Sequence, residues 1–212
     1  MCSIIASFSK DKIAELAELN AYRGQHSYSI AYYNTLSGYL DHLERGLGEL
    51  PLDKIHIRKN HYCIVHQQAP TTEAKSRSAI HPAVQANGDG TYYLWHNGII
   101  KQKEIERLQN LYQTSIDWDT ALLLKHTIFE SVPSDIDGTF SCLYFCDPGV
   151  FYLFRNEISP MFYDKYSNIS STKFEDSISL PPNIMWRFRP GEDPLLVKEL
   201  TFTTVENPYW IT

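Results

Sequence analysis

The chain has 212 residues, 43% hydrophobic and 21% charged, which suits one folded domain (1–212) with a substantial core and leaves no room for a long disordered tail. A formal net charge of -6 with no clustered Lys/Arg run argues against a nucleic-acid clamp. No stretch approaches the roughly 20 apolar residues of a membrane span, and the opening MCSIIASFSKDK lacks the basic and apolar regions of a signal peptide. The expectation is therefore a cytoplasmic protein with neither nucleic acid nor membrane as partner.

CSIIASF is a short apolar strand candidate, and KDKIAELAELNAY follows with Ile13, Leu16 and Ala17 at helical spacing. HSYSIAYYN and HYCIVHQQ, rich in β-branched and aromatic residues, read as two strands joined by a Gly- and charge-rich connection containing GLGELP. QANGDGTYYLWHNGII places an Asn-Gly-Asp-Gly turn before another strand, with the HNG triplet expected where that strand ends. Two helices follow, one with Ile105, Leu108 and Tyr112 on a face, the other starting at Trp118 or Asp119 and carrying Leu124 and Ile128. Beyond residue 138, GTFSCLYFCD, GVFYLFRN, PMFYDK, NISST, IMWRFRP and LLVKELTF predict a long antiparallel run with turns at Asp147-Pro148-Gly149 and Pro181-Pro182. Strands with segregated helices point to an α+β fold. The isolated GDG and GLG lack the frame of a phosphate loop, so nucleotide binding has no support and no cofactor is implied.

The four cysteines, at 2, 63, 142 and 146, have neither zinc-site spacing nor the density of a disulfide scaffold. Cys63, Cys142 and Cys146 lie in apolar strand-like runs and read as small buried hydrophobes. Cys2 is different. Removal of Met1 would put a thiol and an α-amino group on one residue, and an α-amine, with an ordinary pKa of about 7.7 to 8.0, can take the thiol proton near neutrality.

Downstream of MCSI the chain reads, in order, YRGQHSYS, VHQQAPTT, AIHPAV, LWHNGII and WDTALLLKHTI. This series resembles the class II glutamine amidotransferases, the N-terminal glutaminase domains of glucosamine-6-phosphate synthase, amidophosphoribosyltransferase and asparagine synthetase. DGTFSCLYFCDPGVFYLFRNEISPMFY extends the resemblance over nearly the whole chain. It implies the four-layer αββα sandwich of N-terminal-nucleophile hydrolases and, for activity, release of ammonia from a glutamine side-chain amide to an acceptor synthase or ligase, here expected as a separate chain. Residue by residue, it makes Cys2 the nucleophile and Asn97 with Gly98 the oxyanion pair, a side-chain NH2 and a backbone N–H able to meet developing negative charge. Arg23, followed by Gly24, would organise the site beside the amino-terminal residue. Asp119 would receive the substrate α-ammonium, although a helix N-cap is an equally physical use of an Asp there. His81, in His81-Pro82, would form pocket wall, with no metal role because no second ligand stands at ligand spacing.

The sequence departs from the family pattern at Gln68, where an Arg would grip the glutamine α-carboxylate. A neutral amide cannot replace that charged pair, while Thr71 and Thr72 fall where the family supplies a Thr to the same carboxylate. Gln68 therefore keeps open an amidohydrolase of the same fold acting on a different amide. A non-enzymatic binding module on that fold is the remaining alternative.

Overall fold

Strand parity decides the architecture. The computed structural model describes residues 2–69, 79–130 and 136–202. The elements in chain order are β1 (Ser3–Ser7), α1 (Lys10–Leu19), a 3-10 turn at Ala21–Arg23, β2 (Ser27–Asn34), β3 (Leu40–Leu47), a 3-10 turn at Leu52–Lys54, and β4 (His61–Gln68). They continue as β5 (Ala83–Asn87), β6 (Gly90–Ile100), α2 (Gln102–Tyr112), α3 (Asp119–Glu130), β7 (Gly138–Asp147) and β8 (Phe151–Arg155). The last are β9 (Phe162–Tyr163), β10 (Ile169–Ser170), β11 (Ile178–Ser179), β12 (Ile184–Phe188) and β13 (Leu195–Glu199). They form a seven-stranded sheet, β11-β9-β10-β1-β4-β2-β3, and a six-stranded sheet, β13-β12-β8-β7-β6-β5.

β1 is buried at every position, so both its faces must be covered. Successive side chains of a strand point to opposite faces. Ile4 and Ala6 accordingly join Ala31, Tyr33, Tyr62 and Ile64 in one core, together with Trp95, Leu143, Phe145, Phe151 and Leu153 of the other sheet. The alternate residues Ile5, Ile30, Cys63 and Val65 form a second core with Ile13, Leu16 and Ala17 of α1. On the outer face of the six-stranded sheet, Leu94, Phe140, Cys142 and Phe154 meet Leu108 of α2 and Leu122, Leu123 and Leu124. The order helix, sheet, sheet, helix is thus written in alternating side chains: an αββα sandwich. Each large side chain removed from water in the inter-sheet layer contributes roughly 1.5–3 kcal/mol before ordering costs.

Helix α1 starts where Ser9 accepts the Lys12 N–H at 3.3 Å. It stops at Asn20, whose side-chain NH2 donates to the Leu16 carbonyl at 2.7 Å and to Ser170 Oγ at 2.9 Å, fixing the helix end to β10. Among the described residues no helix is long and apolar enough to cross a membrane.

Three features differ from the sequence reading. The connection before GLGELP contains β3, whose exposed, charged pattern gives no strand signal because it is an edge. The HNG triplet lies inside β6, not at its end: pairing with β7 continues through Ile99↔Thr139 and Ile100↔Gly138. The late strands are not one run, since β9, β10 and β11 join the sheet of β1 while β7, β8, β12 and β13 build the other. The Asn87-to-Gly90 turn and those at Asp147-Pro148-Gly149 and Pro181-Pro182 fall between strands as expected.

Candidate functional site

The two sheets bring their chemistry to one end of the inter-sheet layer. Cys2 precedes β1 and is 4% exposed. It shares the parity of Ile4 and Ala6, and the register Ser3↔Gln67 sets it level with Gln68 of β4. In the facing sheet Asn97 shares the parity of Trp95, again toward the gap, and β6 is the strand of that sheet that packs against β1. His66, inward like Tyr62 and Ile64, ties the layers together: its Nε2–H donates to the His96 carbonyl at 3.1 Å, one residue before Asn97.

Asn97 is 2% exposed, and among the described residues its side-chain amide has no hydrogen-bond partner. The direction of the Gly98 N–H follows from register. Gly98 is opposite Phe140, but Phe140 exchanges both backbone bonds with Asn156 on the far side, its N–H donating to Asn156 Oδ1 and its carbonyl accepting the Asn156 N–H. Gly98 and Phe140 are therefore a non-hydrogen-bonded pair, and the Gly98 N–H is directed to the opposite edge of β6. There β5 has already ended, its final partner being Leu94 opposite Ala83. A Cβ at Gly98 would fall on the Thr139 carbonyl, so only glycine fits.

Arg23 is buried beside the start of β1. Its Nε–H donates to Thr172 Oγ1 at 2.9 Å and its Nη2 to the Ser171 carbonyl at 3.1 Å. Ser171 in turn exchanges bonds with both backbone groups of Ile4, so Arg23 holds the segment that brackets the first strand. Gly24 lets the chain pass against Gln68 and Ala69, where a Cβ would overlap their backbone.

Asp119 is the first residue of α3 and half-buried. Its Oδ1 accepts the Thr120 N–H at 2.7 Å and its Oδ2 the Ile100 N–H at 3.5 Å, so the carboxylate links the first turn of α3 to the end of β6. His81 is buried, stacked on His66 at 3.9 Å between ring centres and edge-on to Trp118 at 5.3 Å. Gln68 does not stand as the sequence suggested. It is fully buried, its Nε2 donates to the Ala79 carbonyl at 3.1 Å and its Oε1 faces His81 Nδ1 at 3.1 Å, so both ends of its amide are held by protein. Thr71 and Thr72 lie outside the described residues.

No cysteine is in a disulfide. Burial pushes the Cys63 thiol up to about 12 and the Cys142 thiol well above its ordinary range, as inert core cysteines require. Cys146 is only half-buried, because it sits near the end of β7 beside Tyr92.

The fold that carries these residues has precedent among solved structures. The glutamine phosphoribosylpyrophosphate (PRPP) amidotransferase from B. subtilis, complexed with ADP and GMP, matches over 89% of this chain and 47% of its own, with TM-score 0.61 and 16% identity. A structure of the allosteric regulatory enzyme of purine biosynthesis matches over the same shares, with TM-score 0.63 and 16% identity. The chain shares the fold of these two proteins over that part of their length. It spans about half the length of these two proteins. No protein-family model and no curated protein matches the sequence.

Within this fold, the sequence reading passed over His66, His96 and Thr120. Thr120 Oγ1 lies 3.0 Å from His81 Nε2 and 3.2 Å from His96 Nδ1, and His96 Nε2 faces the Thr139 carbonyl at 3.2 Å. The available signal was parity: in HYCIVHQQ, His66 shares the face of Tyr62 and Ile64, so a polar ring had to enter the inter-sheet layer.

Proposed function

We propose that this chain is a glutamine amidotransferase domain that hydrolyses the side-chain amide of glutamine through a thioester on Cys2. After loss of Met1, the Cys2 α-amine takes the thiol proton and the sulfur attacks the amide carbon. A C–S bond forms while the carbonyl π pair moves to oxygen, and that oxyanion is met by the Asn97 side-chain NH2 and the Gly98 N–H. Collapse breaks the C–N bond, the Cys2 ammonium returns its proton, and ammonia leaves. Water then hydrolyses the thioester to glutamate. Asp119 receives the substrate α-ammonium, Arg23 braces the start of β1, and His81 forms wall. The ammonia passes to an acceptor synthase or ligase, because in bulk water at neutral pH it would be largely protonated and lost as a nucleophile.

The observation that carries the reading is the Asn97 amide, without a hydrogen-bond partner among the described residues, beside the edge-directed Gly98 N–H, on the strand facing the one that follows Cys2. The test is glutaminase activity of the processed protein, alone and with proteins captured from its own cells. Glutamate release that vanishes in Cys2→Ala is expected; no release under any condition overturns the proposal. A second reading, hydrolysis of a different amide, is favoured by Gln68, whose amide is bonded within the protein and offers no charge to an α-carboxylate. A panel of γ-glutamyl and carboxylate-blocked amides separates the two.

A further inference from the structure

A second cluster of chemistry lies on the outer face of the seven-stranded sheet, toward the end of β1 away from Cys2. Ser7, the last residue of β1, is opposite Cys63 of β4, and Cys63 is opposite Tyr32 of β2. That row is roughly 17 Å along β1 from the level of Cys2, at the rise of a strand. A cleft of about 300 Å³ opens beside it, with five basic side chains in its lining: His42, Lys54, His56, Arg58 and His61. Tyr32 and Asp41 complete the lining. Strand irregularity gathers one wall. Tyr32 is opposite His42 but Tyr33 is opposite Leu40, so Asp41 is an extra residue in β3. Such a bulge re-aims a side chain. Asp41 accordingly meets Asn34 and His61, which share the outer parity of Tyr32 and Cys63. Alternation makes the other wall. Ile55 and Ile57 pack into the core beneath α1, which leaves Lys54, His56 and Arg58 outside. The His56 N–H donates to the Tyr32 hydroxyl at 3.0 Å and pins this segment over the sheet.

Among the described lining residues Asp41 is the one acid, and it is already engaged. Its Oδ2 accepts from His61 Nε2 at 2.9 Å and from the Asn34 amide at 3.1 Å, and these bonds, His61 foremost, hold the carboxyl below its ordinary range. Lys54 is shared with Glu44, whose Oε1 stands 3.8 Å from its Nζ. The side chains of His42, His56 and Arg58 have no hydrogen-bond or ion-pair partner among the described residues, and the Tyr32 hydroxyl hydrogen has no acceptor there. Donors therefore outnumber acceptors, a local surplus of positive charge in a chain of net charge -6. Among the described residues no group of three His, Cys, Asp or Glu side chains could hold a metal ion, so these rings stand as hydrogen-bond donors. A guanidinium fork matches phosphate oxygens in pairs, and a phosphate monoester brings three acceptor oxygens with nearly two negative charges, more than a carboxylate can offer to so many donors. The Tyr32 and His42 rings, 5.9 Å between centres, give the remainder of such a ligand an aromatic wall, and the volume suits a small molecule. We infer that this cleft binds the phosphate group of a small phosphate monoester, with Arg58, His42 and His56 as its direct donors.

The inference is independent of the proposed activity, so it is read by binding. Inorganic phosphate and glycerol phosphate are titrated into the full chain at neutral pH and constant ionic strength, with the carbon-bound ring protons of the histidines followed by NMR. Saturable shifts confined to His42, His56 and His61 are expected for both, with the ester binding more tightly because its carbon body fills the cleft. Chloride and acetate at the same ionic strength should not saturate these signals. Arg58→Gln is expected to weaken phosphate binding about tenfold or more, the effect of losing a charge-assisted bond, and His56→Gln to weaken it less. Both side chains are exposed, so the variants should keep the wild-type amide spectrum. Lys198→Gln, the same charge change on β13 of the other sheet, should leave binding unchanged. Shifts that grow without saturation, that acetate reproduces, or that keep wild-type affinity in Arg58→Gln overturn the inference. So does a Lys198→Gln effect equal to that of Arg58→Gln, which marks a general field rather than a site, or an ester that binds more weakly than inorganic phosphate.

Discussion

At the scale of single residues, the candidate site depends on two groups that are hard to replace for different reasons. Asn97 is held by the ladder of β6, so truncation should leave packing intact and remove one of the two oxyanion donors proposed above. Asn97→Ala is expected to lower kcat about 100- to 1,000-fold with KM little changed, because the lost bond matters most in the transition state. Steady-state kinetics on glutamine check this, with a thermal melt to show that the fold persists. Gly98→Ala should fail earlier, in structure, because its Cβ meets the Thr139 carbonyl. A different residue-scale effect follows from Cys63. Burial raises its thiol from 9.0 to about 12, so the folded state favours the protonated form. The stabilisation is complete below pH 9 and is lost as pH rises toward 12, by up to about 4 kcal/mol at the ordinary conversion per pK unit. Chemical denaturation of wild type and Cys63→Ala across that window should show a shallower decline in the variant.

At the scale of elements, one turn and one cluster hold the site's supports in place. Gly24 ends the 3-10 turn of Arg23 and lies against the backbone of Gln68 and Ala69, so Gly24→Ala must push β4 and the turn apart. A cost of about 1–3 kcal/mol, the range for overpacking a tight contact, is expected in denaturant melts, together with loss of glutaminase activity. On the other side of the sandwich, Arg155 at the end of β8 is buried and its guanidinium donates to the Leu180, Asn156 and Ser159 carbonyls and to Ser179 Oγ. Burial lowers its pKa, but an arginine starts so far above neutrality that it remains a cation. One fork thus joins the six-stranded sheet to the segment leading into β11 and β12. Arg155→Met leaves several buried carbonyls without donors and should destabilise by about 3 kcal/mol or more; Arg155→Lys, with a single point donor, should recover only part.

At the scale of the whole molecule, the inter-sheet layer carries the stability while the exposed edge carries little. Leu143→Ala, in the middle of that layer and fully buried, is expected to cost about 2–5 kcal/mol, whereas Leu47→Ala on β3, 51% exposed, should stay within about 0.5 kcal/mol. Urea denaturation of the two variants makes the comparison directly. What the sequence determined by itself was the content of the layers and the identity of the motifs. Alternation in CSIIASF, HSYSIAYYN and HYCIVHQQ marked strands needing cover, helical spacing marked Ile13, Leu16 and Ala17, and the order MC, RG, HP, HNG, DT named the candidate residues, because these signals are local. Tertiary structure alone decided which sheet each late strand joined and where Gln68 turned. β9 and β10 are too short to announce a partner, and their place beside β1 comes from bonds such as those of Asn20 and Arg23 across about 150 residues of sequence. Gln68 next to His81 in sequence terms is only a polar residue thirteen positions away; it becomes the partner of Nδ1 because the Ala79 carbonyl fixes its amide in space. Hydrogen-bond direction is a property of three-dimensional geometry, which is why the Gln68 orientation could not be read from residue order.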